Sequence, residues 1–325
     1  MLKEDISNAE YHRSGELSRS IAWNLITTCP QKVKYDMTHP KESSPALVIG
    51  SAFHAATLEP GKFDDEFAVK PQEIDGQGPR TKYYKEAFEI MQKNEPNKSW
   101  LAPSDYDLVM DMAASALDHP ILRTHMAEQS SIIEGTGFFE MEGAKCKVRP
   151  DLYNPGAGVV LDLKSTQDAS EKGFAKSVRQ FGYTFQACWY MHALRLLGEK
   201  PKQSVFLSVE KSAPHLTAAY TLSATDIDKQ MANMEKACKL WATCESSGVW
   251  PSYTDDVTTL DLGSMHGNNR LNVMQMADKF GVSRTYVYRI IREHNLETKN
   301  IGNRRTIDIT DFANAVRRDE EGKAA

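Results

Sequence analysis

The run KCKVRPDLYNPGAGVVLDLKS, residues 145–165, decides how this chain folds. Its second half, GVVLDLKS, reads as a short strand, so Asp162 and Lys164 stand two apart and share one face. Asp151 ends the preceding strand and reaches the same spot across a hairpin that turns at Asn154-Pro155-Gly156. Two carboxylates and a neighbouring carbonyl, that of Leu163, are hard oxygen ligands suited to Mg²⁺ or Mn²⁺. A lysine beside them can orient or deprotonate a water, or neutralise charge that builds on a phosphate. Metal-assisted phosphodiester hydrolysis is the chemistry that follows. An acid-x-lysine triplet says little alone, since others occur at Glu297 and Glu321; only Asp162 has an acid-bearing strand upstream.

Working outward, IIEGTGFFEME before the run makes a three-strand meander with its two strands. Helices are expected upstream: one over LSRSIAWNLITTCP, capped at Ser18 or Ser20 and closed by Pro30, and one over Ala46–Leu58, ended by Glu59-Pro60-Gly61. Residues 62–79 read as a loop with a short strand. Two more helices follow, Thr81–Lys93 and one opened by a capping box at Ser104. Downstream lie a helical stretch from Ser170 to Leu197 broken near Gly182, strands at KQSVFLSVE and LTAAYTLS, and a helix over Ala224–Ser246. The order specifies a mixed sheet flanked by helices, an α/β or α+β class.

The chain has 325 residues, enough for about two domains. Its hydrophobic share of 41% and charged share of 26% exclude wholesale disorder. No apolar run could span a bilayer and the first residues lack a signal peptide, so a soluble cytoplasmic protein without membrane contact is expected. Five cysteines without a CxxC pair read as reduced, packed thiols. Only Cys238 and Cys244 lie close together, which argues against an iron–sulfur cluster. The net charge of −5 divides unevenly: residues 265–325 hold 11 Lys and Arg against 8 Asp and Glu, a balance of +3, leaving −8 on the rest. Any nucleic-acid partner must therefore be met by local patches.

Two further features bear on the hairpin. His54 stands within Gly50-Ser51-Ala52-Phe53-His54-Ala55-Ala56, a small and apolar helical stretch, where it is either a core histidine or a ligand. Gln186 and Tyr190 lie four apart on one helix face that otherwise reads apolar. The order His54, Asp151, Asp162-Leu163-Lys164, Gln186-x-x-x-Tyr190 resembles the PD-(D/E)xK nucleases of the RecB type, with their restriction-endonuclease-like core. More narrowly, Leu17-Ser18-Arg19-Ser20, Cys29-Pro30 and Gly248-Val249-Trp250-Pro251-Ser252-Tyr253 make residues 11–253 similar to the phage and prophage exonuclease VIII (RecE-type) catalytic domain.

That resemblance implies a catalytic divalent metal, Mg²⁺ with Mn²⁺ as substitute, on Asp151 and Asp162 with His54 as a further ligand. It implies Lys164 as the catalytic lysine, and Gln186 and Tyr190 as residues that position DNA or the lysine. Glu134 is a candidate for a second-metal or water contact, and Arg19, Arg149 and Arg179 for phosphate contacts. It implies 5′→3′ digestion of linear double-stranded DNA from free ends, leaving 3′ overhangs for a single-strand annealing partner. A homo-oligomer, ring-shaped in such enzymes, and a phage or prophage gene in a bacterial host belong to the same implication.

The remainder reads as a linker, 254–270, a small domain, 271–318, and a polar tail, 319–325. Val273–Phe280, a turn at Gly281-Val282-Ser283 and Arg284–His294 have helix-turn-helix phrasing, with Ala277, Val282, Val287 and Ile290 inward. The domain resembles winged helix-turn-helix domains of excisionase or MerR type. Arg284, Tyr288, Arg289 and Arg292 would face DNA, and a wing over Thr298–Ile309, turning at Gly302-Asn303, would add Arg304 and Arg305. A protein-interaction module with the same packing stays open. So do, for the whole chain, an endonuclease, a single-strand nuclease, and a DNA-binding regulator whose nuclease-like domain is only structural.

Overall fold

The computed structural model describes residues 2–3, 6–39, 44–254, 256–257, 270–301 and 304–324. The chain divides into two compact units, Met1–Tyr253 and Thr254–Ala325. The first opens with helices α1 (Asn8–Arg13), α2 (Arg19–Thr27), α3 (Pro30–Thr38), α4 (Pro45–Leu58) and α5 (Pro60–Glu66). Strand β1 (Phe67–Val69), helix α6 (Lys82–Asn94), strand β2 (Ser99–Leu101) and helices α7 (Pro103–Asp118) and α8 (Pro120–Ala127) follow.

Proline opens α3, α4, α5, α7 and α8. At the first helical position its missing N–H has no partner to lose and its fixed φ suits the helix. This corrects the sequence reading at three points. Helices α2 and α4 stop just before Pro30 and Pro60, as expected, but each proline also opens a further helix, so the residues after Pro60 are helical as far as Glu66. Pro103 starts α7 behind Ala102, which offers no side-chain cap, so no capping box forms at Ser104. Helix α2, by contrast, is capped by Ser18, whose Oγ accepts the Ile21 N–H.

Next come β3 (Ile132–Ile133), β4 (Gly137–Met141), β5 (Ala144–Val148), β6 (Leu152–Asn154), β7 (Val159–Thr166), α9 (Glu171–Phe181) and α10 (Tyr183–Leu196). The unit closes with β8 (Gln203–Glu210), β9 (Thr217–Thr221), α11 (Ala224–Asp228) and α12 (Met231–Ser247). The central sheet has the order β3-β6-β7-β8-β9; β7 and β8 run parallel and the other pairs antiparallel. Along β7, Val160 packs with α9 and α10 residues, and Leu161 and Leu163 with α4 and α7 residues. Helices therefore cover both faces, as the mixed α/β class requires.

The meander is more broken than its sequence suggests. The first expected strand divides at Glu134-Gly135 into β3 and β4; the second divides at Arg149-Pro150-Asp151 into β5 and β6. Strands β4 and β5 form a separate ribbon. Pro150 has no ladder donor to give, and Gly135 lies so close to Ile132 that a Cβ would stand 2.4 Å from Cγ2. Each break carries an acid of the site described below. The long helix expected from Ala224 is likewise two, α11 and α12.

The second unit comprises β10 (Arg270–Asn272), α13 (Val273–Phe280), α14 (Arg284–Glu293), β11 (Thr298–Ile301), β12 (Arg304–Asp308) and α15 (Ile309–Ala324). Its antiparallel sheet has the order β10-β12-β11. Met276, Ala277, Val287, Ile290, Ile307 and Phe312 form its own core. Asn272 and Gln275 make a reciprocal cap on α13, Gly281 turns the chain at φ +62°, and Ser283 caps α14. The expected polar tail is the end of α15 as far as Ala324. The expected turn at Gly302-Asn303, the Arg304 side chain and most of the expected linker, including 258–269, lie outside the described residues. Among the described residues no helix is long and apolar enough to cross a membrane.

Candidate active site

The β6–β7 hairpin pairs Leu152 with Leu161, and one step further in that register Asp151 stands opposite Asp162. Asp151 Oδ2 accepts the Leu163 N–H at 2.6 Å, which fixes its carboxylate alongside β7. His54, on α4, brings Nδ1 to 3.4 Å from the same oxygen. Small buried neighbours, Ala52, Ala55 and Ala56, let that helix approach the sheet. Glu134 follows β3, donates its N–H to the Asp151 carbonyl at 3.0 Å and adopts φ +49°. A left-handed non-glycine residue costs about 1–3 kcal/mol. The potential ligand atoms of His54, Glu134 and Asp151 all lie within 4.8 Å of one another.

Asp162 is 1% exposed and serves as the hub of a second set. Its Oδ1 accepts the Gln186 side-chain N–H at 2.5 Å, and the same amide donates to the Tyr190 hydroxyl at 3.2 Å. A carboxylate can only accept, so the amide must turn its nitrogen to Asp162. Asp162 Oδ2 faces the Lys164 ammonium in a close ion pair but takes no other hydrogen bond. Lys164 Nζ also sits 4.9 Å from the ring centre of Tyr183. Sequence reasoning passed over Tyr183; its spacing of three from Gln186, on the same helix, is the signal that was available.

Burial raises the Asp162 carboxyl to about 6; the Asp151 charge adds to the rise, and Lys164 and His54 oppose it. Burial, Asp151 and other acids hold Glu134 well above the carboxylate range, against the pull of Arg149. For Lys164 burial acts to lower the value, but Asp162, Asp151 and Tyr183 outweigh it and the ammonium is held above the ordinary lysine range. Two carboxylates and an imidazole in reach of one point fit a hard divalent cation.

Several expected DNA contacts are placed otherwise. Arg149 is 8% exposed. Its Nε donates to Thr136 Oγ1 at 2.7 Å and a terminal nitrogen to the Ile6 carbonyl at 2.7 Å. Lys147 donates to the Ser14 carbonyl at 2.8 Å and, like Arg149, lies against the Tyr11 ring. Both cations hold the N-terminal segment. Arg19 donates to the carbonyls of Phe181 and Gly182 at 2.8 and 3.0 Å. Arg179 is exposed on α9. In the second unit Arg284, Tyr288 and Arg292 form one exposed row, four residues apart, on α14. Arg289 is instead bound to Asp319 through two hydrogen bonds of 2.9 and 2.8 Å, and to Glu293. Arg305 is exposed and donates to Thr298 Oγ1 at 2.7 Å.

A mixed sheet with an acid-bearing hairpin, an Asp-x-Lys strand and a histidine from an upstream helix defines the PD-(D/E)xK class of nuclease folds. The chain belongs to the family described as PDDEXK-like domain of unknown function (DUF3799), which it matches over residues 18–262. Comparison with curated proteins gives no match. Among solved structures, a candidate exonuclease from Eubacterium rectale is similar in fold, with a TM-score of 0.53 at 17% identity over 82% of this chain and 97% of that one. A phage-related exonuclease from Haemophilus somnus 129PT gives a TM-score of 0.32 at 15% identity over 72% of this chain and 96% of that one.

Proposed function

We propose that this protein is a Mg²⁺-dependent deoxyribonuclease that degrades linear double-stranded DNA from its ends. The observation that carries the reading is the convergence of His54, Glu134 and Asp151 beside the Asp162–Lys164 pair. Asp151, Asp162 and His54, with Glu134 and the Leu163 carbonyl as further donors, would hold the ion, and Mn²⁺ suits the same donors. When bound, such an ion supplies Lewis-acid polarisation of the phosphate and a more acidic water. The protein's own groups do the rest. Lys164, kept protonated by Asp162, places positive charge where a phosphate gains negative charge as water attacks. Gln186 holds Asp162 in one orientation and is itself steadied by Tyr190.

The resemblance to RecE-type exonucleases supports 5′→3′ polarity, 3′ overhangs, an annealing recombinase as partner, a homo-oligomeric ring and a phage or prophage setting. In the second unit the row Arg284, Tyr288, Arg292 supports a helix-turn-helix contact to duplex DNA, with Arg305 on a phosphate; in the first unit the exposed Arg179 is a candidate phosphate contact.

The test incubates purified protein and Mg²⁺ with one sequence as a linear duplex and as a closed circle, beside Lys164→Ala and metal-free controls. Loss of the linear form alone, abolished by both controls, is the expected result, and end labels then give polarity. Cleavage of the circle would replace this reading by an endonuclease. Binding without cleavage of either would make the protein a DNA-binding regulator.

A further inference from the structure

The corner between α9 and α10 presents an aromatic side chain that the catalytic scheme does not use. Phe181, the last residue of α9, is 48% exposed. Its ring lies 5.8 Å from that of Tyr183, and Tyr183 carries the Lys164 ammonium on its face. A half-exposed phenylalanine is ordinary on its own. What distinguishes this one is how firmly its backbone is held. Arg19 binds the carbonyls of Phe181 and Gly182, and Gly182, at φ +66°, is packed so that a Cβ would meet the Trp23 ring at 2.6 Å. Tyr183 is in turn backed by Phe206 at 5.5 Å and Phe174 at 5.9 Å. The exposed ring thus ends a rigid aromatic row that begins under the catalytic lysine.

The cation of this row is Lys164, at its inner end against Tyr183. A flat apolar face in line with a cation is how proteins grip single-stranded nucleic acid: bases stack on the ring while the cation meets the backbone. A base inside a duplex has both faces covered by its neighbours, so only an unpaired or frayed one can use such a platform.

We infer that Phe181 is a stacking platform for an unpaired nucleobase next to the phosphate at Lys164. This rests on the nuclease reading above and deepens it by naming the residue that receives an unpaired base of the substrate strand.

The experiment uses full-length protein without metal, so that no DNA is cut. The probe is a linear duplex with an unpaired 2-aminopurine at its ends, and the variants are Phe181→Ala, Phe181→Leu and Phe181→Trp. Stacking quenches the fluorescence. Quenching by wild type and Phe181→Trp is expected, together with its loss in Phe181→Leu and Phe181→Ala and roughly tenfold weaker binding of the frayed end. Unchanged melting temperatures show that folding is not the cause, and Leu keeps the apolar bulk without the π face. Equal quenching by Phe181→Leu overturns the platform and leaves the nuclease reading intact if wild type still digests linear DNA with Mg²⁺. Wild type that neither binds nor digests DNA overturns both.

Discussion

Asp162 is pulled in opposite directions. Burial and Asp151 favour its protonated form, whereas Lys164 favours the charge, and Gln186 can donate only to an oxygen that accepts. Replacing it by Asn removes the counter-charge of a buried ammonium. Asp162→Asn and Lys164→Ala are each expected to lower hydrolysis of linear DNA by about 10²–10³-fold, the scale for losing one preorganised electrostatic contact; rates measured at matched protein folding check this. Glu134 supports a prediction of opposite sign for stability. Its folded pKa is raised above 4.5, so in the metal-free protein its ionisation opposes folding. The carboxyl's contribution is most favourable at low pH and is lost as pH rises through the folded value. Metal-free Glu134→Gln is therefore expected to melt above wild type at pH 8, with the difference shrinking toward pH 4.5. With Mg²⁺ present the order at pH 8 should reverse, since a ligand has been removed. At this scale the sequence was informative where spacing fixes geometry: two residues along a strand join Asp162 to Lys164, and four along a helix join Gln186 to Tyr190. It could not show that Glu134 would turn left-handed, nor that Arg149 would face the N-terminal segment, because both depend on contacts made from far along the chain.

Among the elements, proline was the main source of misreading. Pro30 and Pro60 each follow a helix and open another, and a sequence pattern that treats proline as a stop cannot tell the two apart when the connection is this short. The same ambiguity did not affect Gly182, where a break in a long helical stretch was legible. Its physical reason came only from the packing. The backbone is left-handed at φ +66° and the Trp23 ring fills the space a side chain would need. Gly182→Ala is expected to destabilise the first unit by about 1–3 kcal/mol, read as a lower urea midpoint at unchanged slope. Because Tyr183 follows directly, that variant should also lose activity beyond what its unfolded fraction accounts for. The second unit has a comparable tie. Arg289 joins α14 to α15 through Asp319, so Arg289→Ala should lower the melting temperature of this unit and leave the salt dependence of DNA binding unchanged.

At the level of the whole molecule, two units with separate cores imply two separable tasks. The residues proposed for catalysis, from His54 to Tyr190, lie within Met1–Tyr253, and the row Arg284, Tyr288, Arg292 lies within Thr254–Ala325. The charge division points the same way: residues 265–325 are positive within a chain whose net charge is −5. If the second unit grips DNA through phosphates, each contact releases about 0.9 counterion, and the slope of log K against log salt measures how many there are. The paired substitution Arg284→Ala with Arg292→Ala should reduce that slope by about 2, and the loss should be similar on any duplex sequence. Tyr288→Ala should leave the slope unchanged and weaken binding to a preferred sequence, if one exists, because its ring carries no charge to exchange with counterions. A chain ending at Tyr253 should still digest linear DNA at saturating concentration, since none of the side chains proposed for catalysis is removed. Its affinity should fall most at low salt, where the missing phosphate contacts contribute most. A truncated chain whose salt slope equals that of the full chain would show that the second unit docks on something other than DNA, and would assign its exposed arginines to a protein partner.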